Sequence, residues 1–125
     1  MLRLVLEWFL PVFKGMGFGV LVMMLHEMGH LMAAFVLGLR VRGVGINWKG
    51  LYMVRETGPL GSNLLVSLAG PVANLLLALL WYRAALFSLA NLCFGLVNLL
   101  PIQGSDGDRI LGSIEARLRS RQTSA

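Results

Sequence analysis

His26 and His30 are the only histidines in the chain, and they frame His26-Glu27-Met28-Gly29-His30. On a helix, residues four apart lie one turn above each other, so both imidazoles would project from one face. The H-E-x-x-H spacing is the zinc-binding signature of metalloproteases. Neutral imidazole nitrogens hold zinc at about 2.0–2.1 Å, and Glu27 lies beside that face, able to reach a water without ligating the ion. The chemistry this allows is metal-assisted peptide hydrolysis. Zinc supplies the Lewis acidity that lowers the pKa of a water to about 7 and polarises a carbonyl. Glu27 takes the water proton and later passes it to the leaving amine.

A catalytic zinc also needs a third protein ligand and an open position. The other apolar stretches contain no histidine or acidic residue. The carboxylate must therefore come from a segment that folds back, and residues 102–108 offer Asp106 and Asp108.

The surroundings of the motif are apolar. Hydrophobic residues make up 57% of the 125 positions, charged residues 14%, and the mean hydropathy is +0.74. That composition is typical of an integral membrane protein and excludes an ordinary soluble domain. An ionisable cluster inside a membrane span is costly and marks function. The net charge of +5 sits beside apolar runs, with no interleaved aromatic pattern, so it reads as juxtamembrane charge and not as a nucleic-acid surface. The single cysteine, Cys93, can form no internal disulfide and reads as a packed thiol.

The expected fold is an all-α membrane protein in one domain, with about three transmembrane helices and a small re-entrant or interfacial β-hairpin between the first two. Residues 1–14 read as an interfacial amphipathic segment that Pro11 breaks or bends. Residues 15–37 form the first span, in which Gly15, Gly19, Gly29 and Ala33 favour close helix packing. Residues 38–60 alternate glycines with Val, Ile and aromatic residues, giving a hairpin that turns near Lys49-Gly50. Residues 62–82 form the second span, with Pro71 inside it, and 84–100 a shorter third. Residues 102–108 are turn-rich, and 109–125 make a basic tail with a short amphipathic helix over 109–119.

With three spans, the 38–60 loop and the C-terminus share one side. That side carries eight cations: Arg40, Arg42, Lys49, Arg55, Arg109, Arg117, Arg119 and Arg121. Arg3, Lys14 and Arg83 lie opposite. The bias puts loop and tail in the cytoplasm and the N-terminus outside. His30 and Asp106 then lie toward the same, cytoplasmic half.

Three pieces of the chain, in order, resemble the site-2 protease family of intramembrane zinc metalloproteases. They are His26-Glu27-Met28-Gly29-His30, then Ala69-Gly70-Pro71-Val72-Ala73-Asn74, which is similar to A-G-P-x-x-N, then Asn98-Leu99-Leu100-Pro101 with Asp106-Gly107, similar to N-x-x-P-x-x-x-x-D-G. The resemblance implies that Asp106 is the third zinc ligand. It also implies that Asn98 holds or polarises the substrate carbonyl, and that Pro71 and Asn74 shape the helix. In the family a membrane-re-entrant hairpin with a G-x-G element follows the first motif. Gly43-Val44-Gly45 sits there, where an edge strand could pair with an unwound substrate. Two positions depart from the pattern: Ser105 stands for the usual Leu, and Asp108 for a common Gly, which keeps Asp108 open as the ligand.

The implied activity is zinc endopeptidase cleavage in or near a transmembrane segment of a membrane protein substrate, whose helix must unwind to expose a peptide bond. The implied partners are that substrate and the lipid bilayer, with a second copy of the chain or a regulatory membrane partner as suppliers of further helices; nucleic acid is not among them. The compact chain suits a bacterial cytoplasmic membrane. The alternative is an inactive relative that binds membrane helices as a scaffold or chaperone. A metal-ion carrier would need a polar path that the later spans lack.

Overall fold

The computed structural model describes residues 2–47 and 50–123. The elements run α1 (Leu2–Val36), β1 (Val41–Asn47), β2 (Gly50–Arg55), α2 (Leu60–Leu80), α3 (Ala85–Leu99) and α4 (Asp106–Gln122). The protein is mainly helical, with an antiparallel two-stranded hairpin between the first two helices.

The break expected at Pro11 is absent, because α1 is one helix of 35 residues with Pro11 inside it. Pro11 lacks the N–H that would close a helical bond to the carbonyl of Glu7, and Glu7 is exposed, so the loss falls outside the helix packing. The window Leu10–Val36 and helix α2 are long and apolar enough to cross a membrane. The third expected span is shorter: α3 has 15 residues and rises about 22 Å, less than a hydrocarbon core of about 30 Å.

Side-chain distribution is inverted relative to a soluble core. Among the described residues the buried hydrophobics are Val22, Ala34, Val66 and Ala78, whereas His26, His30, Ser67, Asn74, Asn91 and Asp106 are all buried. Large apolar side chains such as Phe35, Leu79 and Leu96 face outward. Lipid makes this arrangement stable, since apolar surface needs no protein cover and polar groups must find partners inside. Cys93 follows the same logic. The packed thiol expected from its apolar neighbours is instead exposed on α3.

Helices approach closely where glycine permits. A methyl on Gly29 would meet Ala69 O at 2.7 Å and Ala73 Cβ at 2.9 Å, so α1 crosses α2 there. Gly15 and Gly19, expected in the same packing stripe, have nothing within 4 Å. A methyl on Gly95 of α3 would stand 3.1 Å from Pro71 O of α2. At the α2–α3 corner Ser88 Oγ donates to Ala78 O at 2.7 Å.

The hairpin pairs Gly43 with Val54 and Asn47 with Gly50, with an irregularity between Val41 and Gly43. Lys49, the first residue of the expected turn at Lys49-Gly50, lies outside the described residues. The Tyr52 ring lies over Gly45, whose missing side chain makes room for it. Arg55 Nη1 donates to Asn63 Oδ1 at 2.7 Å and Asn63 Nδ2 to Gly58 O at 2.7 Å, which ties the hairpin to the start of α2.

The C-terminal helix starts earlier than 109. Ser105 is its N-cap, accepting from the Asp108 backbone N–H at 3.2 Å, and Asp106 is its first residue. The sequence Ser105-Asp-Gly-Asp108 carries this signal, a serine cap followed by acids in the first turn. Ser105, a departure from the family pattern, thus serves the fold twice, because its Oγ also donates to Leu100 O at 2.6 Å.

Candidate metal centre

Helix α1 presents His26 and His30 to α2, and the start of α4 brings in Asp106. Their relative exposures are 3%, 5% and 5%, so all three are closed off from the surroundings. His26 Nε2 lies 2.8 Å from Asp106 Oδ2, His30 Nε2 lies 3.1 Å from the same oxygen, and the two nitrogens are 3.1 Å apart. Residues 76 and 80 positions apart in the chain meet at one point.

The far side of each ring is already committed. His30 Nδ1 is 2.6 Å from Val66 O, which can only accept. His26 Nδ1 is 2.6 Å from Asn74 Oδ1, while the Asn74 amide nitrogen donates to Val22 O at 3.2 Å and Asn91 Oδ1 at 2.8 Å. Both Nδ1 atoms therefore carry the proton, as in the usual outer partnership of metal-bound histidine. Two neutral rings then aim Nε2 lone pairs at a carboxylate oxygen. Three acceptors facing one another need a cation or added protons between them.

The residues fit zinc. Ligands about 2.0–2.1 Å from a tetrahedral ion stand roughly 3.3 Å apart, and an opening of a few tenths of an ångström would bring this triangle to that size. Two imidazoles and one carboxylate are a catalytic donor set, leaving a position free. Burial alone would raise the pKa of Asp106; its contacts with His26 and His30 outweigh that and hold it well below the usual carboxylate range, in the ionised form a metal ligand requires.

Two glycines make the meeting possible. A Cβ on Gly70 would collide with His30 Nε2 and stand 2.8 Å from His26 Nε2, so only a hydrogen fits between α2 and the rings. A Cβ on Gly107 would meet the carbonyls of Leu99 and Leu100, so Gly107 lets α4 start hard against the end of α3 and sets Asp106 in place. The ring of Phe94 packs edge-on against His26, centroids 5.1 Å apart.

Glu27 is half-buried, and its carboxylate lies within 4.8 Å of ligand atoms of both histidines. It lines a cavity of about 440 Å³ with His26, His30 and Asp106. Asn98 lines the same cavity; one N–H of its amide donates to Phe94 O at 2.9 Å, and the amide has a second. The hairpin contributes Tyr52 and Arg55 from β2 to that wall, whereas Gly43-Val44-Gly45 lies on β1 and supplies none of its lining.

Asp108, the competing acid, is exposed and points into its own loop, accepting from Gly104 N–H at 3.2 Å. Asn91, Val66 O and Gly70 receive no role from the sequence. Asn91 does leave a trace there, an amide inside an apolar stretch, which membrane energetics makes conspicuous.

Fold and site define a helical membrane protein carrying a candidate two-histidine, one-aspartate centre. The chain belongs to the M50B-like peptidase family, whose model matches residues 1–102. Its fold is similar to that of the solved site-2 protease from Methanocaldococcus jannaschii, with a TM-score of 0.70 and 24% identity. The similarity covers 80% of this chain and 53% of that one, so this chain corresponds to about half of that structure. Comparison with curated proteins gives no match. The family match stops before Asp106, whose placement rests on the geometry alone.

Proposed function

We propose that the chain is an intramembrane zinc metalloprotease that hydrolyses a peptide bond in or near a transmembrane segment of a membrane protein. The observation that carries this reading is the convergence of His26 Nε2, His30 Nε2 and Asp106 Oδ2 within 3.1 Å, with both Nδ1 atoms engaged elsewhere. Family membership supports peptidase chemistry.

His26, His30 and Asp106 would hold the ion, and zinc there supplies Lewis acidity toward water and carbonyl. Glu27 accepts a proton from water as its oxygen bonds to the carbonyl carbon. It then delivers that proton to the amide nitrogen as the C–N bond breaks. The spare N–H of Asn98 donates to the substrate carbonyl oxygen and fixes its direction. The depth suits a substrate within the bilayer. His30 lies six residues from the end of α1 and Val66 six residues into α2, about 9 Å from the same boundary on either helix. With the charge bias, that boundary is the cytoplasmic one.

Glu27→Gln is the test. It should keep one zinc per chain and abolish cleavage of a membrane-embedded substrate by purified protein in liposomes. A variant that keeps its zinc and cleaves at the original rate would remove Glu27 from the mechanism. Wild-type protein that binds no zinc would remove the metalloprotease reading itself.

A further inference from the structure

Helix α4 buries only Asp106 and Gly107 among its residues, although it carries an apolar set further along. Ile114 and Leu118 lie four apart on one stripe, 42% and 56% exposed, and Ser113, Arg117 and Arg121 lie four apart on the next. These two stripes face Leu60 and Leu64, the first two turns of α2, across a groove of about 310 Å³.

The groove combines two features that a water-facing surface rarely holds together. One wall is leucine, continuous with a helix of 21 residues that rises about 31 Å and so fills a bilayer core from one boundary to the other. Leu60 therefore stands at that boundary. The other wall carries two guanidinium groups with no hydrogen bond or ion pair to any described residue. Other arginines do have partners: Arg42 pairs with Glu56 at 2.8 Å, Arg55 bonds Asn63 at 2.7 Å, and Arg109 lies 3.7 Å from Asp106.

The geometry points to a lipid site separate from the metal centre: the groove between the start of α2 and the outer half of α4 binds an anionic phospholipid. Arg117 and Arg121 take the phosphate, and the acyl chain runs along Leu60, Leu64 and Leu118. Inorganic phosphate would leave the leucine wall uncovered, and a zwitterionic lipid, with no net charge, would offset neither cation. The bound lipid secures the outer end of the helix whose first residue is Asp106.

The test uses the full chain in nanodiscs of equimolar phosphatidylglycerol and phosphatidylcholine, with retained lipid counted by native mass spectrometry. Wild type should retain phosphatidylglycerol preferentially. The preference should fall about fivefold for each guanidinium removed, and roughly thirtyfold in Arg117→Gln/Arg121→Gln. Arg117→Lys/Arg121→Lys should keep most of it, and Arg119→Gln, outside the groove, should keep all of it. Helix content by circular dichroism, measured on the same samples, reports that the variants are folded. An unchanged preference in the double glutamine variant would overturn the assignment. So would an equal loss in Arg119→Gln, which means diffuse charge. Binding of inorganic phosphate by wild type, but not by the double variant, in pure phosphatidylcholine discs would replace lipid with free phosphate.

Discussion

Asn74 Oδ1 accepts from His26 Nδ1 at 2.6 Å, joining two helices through one amide. The same side chain is fully buried and donates to Val22 O and to Asn91, itself fully buried. Asn91 Nδ2 in turn donates to Phe87 O. One candidate ligand is thereby oriented by a chain of amides reaching through α2 into α3. Among side chains buried this deeply, each link fixes the next.

Asn74→Ala should therefore weaken zinc binding without removing a ligand. Loss of the outer partner of a metal-bound histidine costs about 10–100-fold in affinity. Asn91→Ala should act in the same direction through Asn74, but less. Competition with a chelator of known affinity measures both. Unchanged affinity in Asn74→Ala would mean that packing against Phe94 alone holds the ring.

Gly70→Ala should be more damaging than its size suggests. The added methyl falls on the Nε2 side of both imidazoles, where the neighbours are rings fixed at their other nitrogens and cannot step back. Overpacking of this kind costs about 1–3 kcal/mol, and here the strain is directed at the candidate metal-binding atoms. We expect zinc per chain to fall well below one. Gly61→Ala, on the same helix with nothing within 4 Å, should leave it unchanged. Elemental composition of the two purified variants decides between these outcomes.

The parts of the site that can be read along the chain are those set by local spacing. Two histidines one helical turn apart share a face whatever the rest of the protein does, and Asp106-Gly107 is visible as a pair. What cannot be read depends on packing between helices. Asp106, and not Asp108, meets the histidines because α4 begins at Asp106, capped by Ser105, which turns Asp108 back onto Gly104. The Gly15 and Gly19 stripe has the spacing of a packing seam, but α2 crosses α1 farther along, at Gly29. Pro11 has the chemistry of a break, yet one missing hydrogen bond is a small part of a helix this long. The short third helix and outward-facing Cys93 follow from a small bundle in lipid, where each helix buries only one stripe.

The two acids give a direct contrast. Asp106→Ala removes the one carboxylate oxygen among the described residues that lies within 3.1 Å of both histidine nitrogens, so stoichiometric zinc should be lost. Asp108→Ala removes an exposed acceptor near a helix N-terminus, which is worth about 0.3–1 kcal/mol, and should retain zinc. The opposite pattern would assign the ligand to Asp108 and require α4 to rotate at its start.

Gly107→Ala tests position without touching a donor. Its methyl would press on the carbonyls of Leu99 and Leu100, which are backbone atoms at the end of α3 and yield little. Relief would come from moving the start of α4 away, and Asp106 moves with it. The expected result is reduced zinc affinity with all three donors still present. Because α1 and α2 do not carry the strain, helix content by circular dichroism should stay near wild type. A variant that binds zinc as tightly as wild type would show that Asp106 reaches the histidines from a looser α4 than the close α3–α4 contact implies.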